Sequence, residues 1–189
     1  WDVSVLPIRI TGDPVLHQRA VEVGEITQEI KDLVADMFET MEKAPGVGLA
    51  APQVGIGLRI FVFDYEVEDV RFRDVAINPT LELQPYEESG PDEELEVEGC
   101  LSIPGERFPI RRSDSVVLKA TDLSGSTYEI AAEGWLARIF QHEFDHLNGT
   151  LYADRLIEPY SSEIKELIED YGWGVAGNSW TPGVEYLEP

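Results

Sequence analysis

The chain has 189 residues, with 37 acidic against 14 basic side chains and a formal net charge of −23. That balance excludes nucleic-acid binding through a broad basic surface, and no apolar run is long enough to span a bilayer. A hydrophobic fraction of 43% with 10% aromatics excludes a disordered chain and suffices for one domain with its own core. The single cysteine, Cys100, leaves no internal disulfide and suits a reducing compartment. The chain opens Trp1-Asp2-Val3-Ser4, without Met and without a secretory leader, which leaves room for a removed targeting peptide.

In chain order, Val5 to Ile10 reads as a short strand or arm closed by the turn signal Gly12-Asp13-Pro14. His17 follows in polar company and is left outside any site. From Thr27, an N-cap, the residues Ile30, Leu33, Val34, Met37, Phe38 and Met41 recur at helical spacing, and Pro45-Gly46 ends that helix. Gly46 to Gly55 is dense in small residues, as a tight strand and turn, with Gln53 as its one polar side chain. A buried Gln needs partners or a task.

Arg59–Asp64 is predicted as a strand, Val75–Pro79 as a second, and Leu81–Pro85 as a third. Tyr86 to Glu98 is an acidic run expected to be a solvated surface loop. Ser115–Ala120 and Thr127–Ala132 form a hairpin around Ser124-Gly125. A second helix spans Trp135 to about Asn148, and a third runs from Ser161 or Ser162 to Tyr171. Residues 172–189 form an extended tail pinned by Trp173 and Trp180. Strands followed by helices give an α+β class. The expectation is one compact domain over 1–189, with antiparallel or mixed sheets packed around the second helix.

That second helix carries Gln141-His142-Glu143-Phe144-Asp145-His146. Histidines four apart share a helix face and can bind one metal ion, with Glu143 beside them to take a proton from water. A hydrolytic metal site of this kind has three protein ligands and an open position. A third His in the longer pattern His-Glu-x-x-His-x-x-Gly-x-x-His is excluded, because Tyr152 stands at its place. Two sources remain open: a Glu of the following helix (Glu163, Glu166 or Glu169), as in thermolysin-like peptidases, or the thiolate of Cys100.

Three segments together carry a resemblance: Gly46-Val47-Gly48-Leu49-Ala50-Ala51-Pro52-Gln53, Glu98-Gly99-Cys100-Leu101-Ser102, and His142-Glu143-Phe144-Asp145-His146. They resemble the three signature motifs of the peptide deformylases, in the family's order, and the likeness runs from about Val5 through the third helix. The resemblance implies that Cys100, His142 and His146 hold a divalent ion, Fe²⁺ natively, with Zn²⁺, Ni²⁺ or Co²⁺ as substitutes. It implies that Glu143 is the general base, that Gln53 and the Leu101 N–H stabilise the oxyanion, and that formate leaves an N-terminal formyl-methionine.

Substrate contacts are expected at Val47, Gly48, Gly99, Arg107, Trp135, Arg138 and Ile139. Arg138 falls where an apolar residue is common in the family, so its stem is expected to line the methionine pocket with its charge in solvent. The implied partners are N-formylmethionyl peptides of nascent chains. The acidic charge gives no support for ribosome docking. A bacterial cytoplasm, or an organelle, is the expected location. Alternatives from other classes are a thermolysin-like metallopeptidase using Glu166 and an inactive relative that only binds peptides.

Overall fold

The computed structural model describes residues 2–188; Trp1 and Pro189, the ends of the expected domain, lie outside them. The described elements are β1 (Ile8–Arg9), α1 (Gln28–Lys43), β2 (Gly48–Ala50), β3 (Ile60–Val67), β4 (Val70–Leu83), β5 (Val97–Cys100), β6 (Ile103–Pro109), β7 (Ser115–Thr121), β8 (Thr127–Glu133), α2 (Gly134–Leu147), α3 (Tyr160–Asp170) and β9 (Ser179–Trp180). A five-stranded sheet runs β2-β3-β4-β7-β8, and β1-β9 and β5-β6 form two-stranded sheets. All strand pairs among the described elements are antiparallel; parallel geometry occurs only in the isolated bridges Val21–Leu58 and Pro182–Glu185. The class is α+β. No helix among the described residues is long and apolar enough to cross a membrane.

α1 begins where Thr27 Oγ1 accepts from the Ile30 N–H at 3.3 Å, and it buries Val34, Met37 and Met41 against β2 and β3. α2 is buried around most of its girth, as expected of a helix enclosed on several sides. Phe140 stands edge-on to Phe63, with ring centroids 5.0 Å apart, which fixes α2 on the sheet. On its other side lie β5 and the Leu151–Leu156 segment, so α2 is the seam between two parts of the core.

The predicted strands at 75–79 and 81–85 are one strand, β4, which also takes in Val70–Asp74. Two local features explain the misreading. The β3–β4 hairpin turns on Glu68-Asp69, at φ 48° and 66°, which is primed-turn geometry built without the Asn or Gly that usually signals it. The apparent break at Asn78-Pro79 is a bulge: the register shifts between Ile77 and Thr80, and Asn78 sits at φ 49°. The Asn78 carboxamide accepts from the Val23 N–H and donates to the Val23 carbonyl, each at 2.8 Å, tying the bulge to the chain before α1.

Asn78→Ala removes both bonds to Val23 and places a Cβ residue less tolerant of left-handed φ at the bulge. It is expected to lower unfolding free energy by about 2–4 kcal/mol. Asn78→Gly, which accepts that φ, is expected to lose less. Urea unfolding of the two variants measures the difference, and equal losses would contradict the role assigned to φ.

Candidate metal centre and active-site cleft

β5 and β6 are joined by the tight turn Leu101-Ser102, which holds Cys100 at the end of β5 facing α2. Sγ of Cys100 lies 3.5 Å from Nε2 of His146, and ligand atoms of Cys100, His142 and His146 all lie within 4.8 Å of one another. The two imidazoles, one turn apart on α2, have centroids 5.0 Å apart. Nδ1 of His142 is 2.8 Å from Glu98 Oε1, so a proton shared there leaves Nε2 for the face shared with Cys100. Two imidazoles and a thiolate suit a transition-metal dication, and among the described residues no other His/Cys/Asp/Glu cluster has this spacing. Glu163, Glu166 and Glu169 are solvent-exposed on α3, which excludes them as third ligand. His17 is exposed, accepts from the Gly12 N–H at 2.9 Å and is not part of the ligand cluster.

Glu143 points into the same cleft, 4% exposed, with Oε2 free of any hydrogen-bond partner. Burial pushes its carboxyl up to about 7, opposed by His142 and reinforced by the nearby Glu98. A cation at the three ligands would pull it back down. Gly48 makes this placement possible, since a Cβ there would meet Glu143 Oε1 at 2.8 Å and its Cδ at 2.9 Å.

β2 is an edge strand. The Val47 carbonyl accepts from the Asp64 N–H at 3.0 Å, so by strand alternation the N–H and C=O of Gly48 turn away from β3 toward the cleft. Gln53 sits in the 3-10 turn that follows, 1% exposed. Its Oε1 accepts from the Ala50 N–H at 3.0 Å, and its Nε2 donates to Ser102 Oγ at 3.2 Å and faces Cys100 Sγ at 3.8 Å. The amide donor is thus aimed at the ligand cluster. The Leu101 carbonyl accepts from the Trp180 indole N–H at 2.8 Å, which ties the tail to the turn after Cys100.

The cleft has a volume of about 280 Å³ and is lined by Val47, Gly48, Gly99, Leu101, Arg107, Trp135, Arg138 and Ile139, with Cys100, His142, Gln53 and Glu143, while His146 stands behind it in the ligand cluster. Every expected site residue therefore comes together. Trp135 stands at the rim, at 37% exposure.

Arg138 departs from expectation. Its guanidinium is buried and donates to Glu98 Oε2 and to the Ile110 carbonyl, both at 2.7 Å, and to Glu96 Oε1 at 3.1 Å. Acceptors inside the protein, not water, satisfy the charge. The acidic run likewise is not wholly a solvated loop, because Glu96 and Glu98 turn inward to this arginine.

Glu98 also takes a two-point contact from Arg112, Nε to Oε2 at 2.6 Å and Nη2 to Oε1 at 3.0 Å. Arg112 reaches Asp145 on α2 at 3.0 Å, and Arg155 closes on the same carboxylate at 2.7 and 2.8 Å. Burial alone would raise the Glu98 pKa, but Arg112 and His142 outweigh it and hold the carboxyl below the ordinary range. Ser102, Arg112 and Asp145 escaped the sequence reading. The adjacent arginines at 111 and 112 were the available signal, since a buried carboxylate requires a cation.

Glu98→Ala removes the carboxylate that Arg112 and Arg138 share, leaving two buried cations with only their outer carboxylates, Asp145 and Glu96. It is expected to cost about 3–5 kcal/mol in urea unfolding and to weaken metal binding about 10–100-fold in a chelator competition. Because the Glu98 pKa is depressed, its stabilisation is complete above the unfolded carboxyl pKa of about 4.3 and is lost only as pH falls below that value. An unaltered stability and metal affinity in the variant would refute this role.

The family profile of polypeptide deformylase matches residues 5–162. A peptide deformylase of Tropheryma whipplei (strain TW08/27) is 47% identical over 190 residues, covering 95% of this chain and 94% of that protein. One of Rhodococcus opacus (strain B4) is 46% identical over 186 residues, covering 96% and 95%. The crystal structure of the Synechococcus elongatus peptide deformylase in complex with actinonin superimposes with a TM-score of 0.74 at 38% identity, over 92% of this chain and 91% of that one. The Thermus thermophilus enzyme gives 0.74 at 41% identity, over 88% and 94%. Agreement in profile, sequence and fold over most of the length places the chain in the polypeptide deformylase family.

Proposed function

We propose that the protein hydrolyses the formamide of N-formylmethionyl peptides of nascent chains, releasing formate and a free amino terminus. The observation that carries this reading is the Cys100–His142–His146 cluster beside the buried carboxylate of Glu143 and the open edge of β2. A divalent ion on those three residues, Fe²⁺ in our reading and replaceable by Zn²⁺, Ni²⁺ or Co²⁺, would supply Lewis acidity and a more acidic water.

The protein's own groups do the rest. Glu143 takes the proton of the attacking water and returns it to the leaving amine. Gln53 Nε2 and the Leu101 N–H donate to the negative charge that develops on the formyl oxygen. The outward N–H and C=O of Gly48 pair with the substrate backbone as an added strand. Val47, Ile139 and the rim Trp135 enclose the methionine side chain, while Gly99 and Arg107 border the exit for the following residues. The whole chain, tail included, acts as one catalytic domain, and a bacterial cytoplasm is its setting.

Formate release from formyl-Met-Ala-Ser, with metal content recorded, tests the assignment. Cys100→Ser is expected to lose metal and activity together. Glu143→Ala is expected to keep metal and lose at least about 100-fold in rate. A metal-loaded intact protein that releases no formate would sink the proposal, and peptide binding without turnover would identify a binding protein instead.

Gly48→Ala offers a separate check. The added methyl displaces the Glu143 carboxylate, so a loss of about 100-fold in kcat is expected with metal content retained. Full activity would mean that Glu143 does not work from the position described.

A further inference from the structure

After Trp180 the tail makes a turn held by Glu185, whose Oε2 accepts from the Thr181 N–H at 2.7 Å. It then runs back along β6. Tyr186 and Leu187 are exposed, but the side chain of Glu188 is only 5% exposed and lines the cleft. Its Oε1 accepts from the Gly105 N–H at 3.0 Å and its Oε2 from Arg107 Nη2 at 3.0 Å.

Arg107 is the cross-strand partner of Gly99, next to the ligand Cys100. Its guanidinium lies directly over Gly99, where a Cβ would collide with Nη1. The cation therefore covers the face of Gly99 at the mouth of the cleft, and half of its side chain meets solvent.

We infer that Glu188 is a specificity-determining residue that sets the charge preference of the cleft for substrate residues beyond the methionine. The inference rests on the deformylase reading. An unpaired Arg107 at this mouth would attract acidic side chains. With Glu188 bound to it, the local charge is cancelled, and the remaining field is that of a chain with net charge −23. Basic side chains two or three residues after the methionine are then favoured over acidic ones. The tail thus contributes a functional carboxylate to a site whose other residues precede it by more than one element.

The test compares formyl-Met-Ala-Lys-Ala amide with formyl-Met-Ala-Glu-Ala amide, capped so that only one side-chain charge differs. The metal-loaded protein is assayed as intact chain and as Glu188→Gln, which keeps an acceptor for the Gly105 N–H and removes the charge. The intact chain should turn over the Lys peptide with the higher kcat/KM. In Glu188→Gln the Lys-to-Glu ratio should fall about fivefold or more, through KM and not kcat, and the change should shrink at high salt. An unchanged ratio, or one that moves through kcat alone, overturns the inference. Formate release from both peptides in the intact chain keeps the deformylase reading standing in either case, and its absence from both would overturn that reading first.

Discussion

Four hydrogen bonds from three side chains converge on the carboxylate of Glu98, which has 4% of its surface in solvent. One partner is the ligand His142; the others, Arg112 and Arg138, come from the segment after β6 and from α2. Glu98 also sits two residues before Cys100. A single buried anion thereby locks the ring of one metal ligand, fixes the strand that carries another, and anchors the helix that bears the third. Removing charge from water at this depth is expensive, and only this density of donors makes it tolerable. The ion-pair network is what gives the site its geometry.

The second constraint is steric. α2 must come close enough to β2 for Glu143 to reach the open strand edge where a peptide can pair. The missing side chain at Gly48 permits that approach, while the Phe63–Phe140 contact fixes the helix on the sheet behind it. The Gln53 carboxamide is oriented from below by the Ala50 N–H and from the side by Ser102. Gln53 is thus held by neighbours, while Glu143 owes its place to the space left by Gly48.

Local chemistry made much of this legible in the sequence. The spacing of His142 and His146 on one helix face, the periodicity of α1 and its Thr27 cap, and the lone Gln53 among small residues each carried their own meaning. What escaped depends on contacts between distant segments. Nothing local distinguishes Glu98 from the acidic residues around it, and only the approach of Arg112 and Arg138 turns it inward. Helix spacing alone left Glu166 and Cys100 both open as third ligand; the resemblance pointed to Cys100, and the exposed position of Glu166 on α3 agrees. β4 was read as two strands because Asn78-Pro79 carries a breaker signature, and the long-range bond to Val23 is what lets the strand continue through it.

The pairing of β1 with β9 has a temporal consequence. Ile8 faces Trp180 in that ladder, and the indole of Trp180 in turn holds the carbonyl of Leu101. All three metal ligands precede Trp180 in the chain. A chain made only up to β9 would therefore carry all three ligands while the turn beside them still lacked its last restraint. The turn that carries Leu101 gains its last hydrogen bond only when the earliest and latest described strands meet, so an arrested or shortened copy would hold the metal ligands without the completed turn.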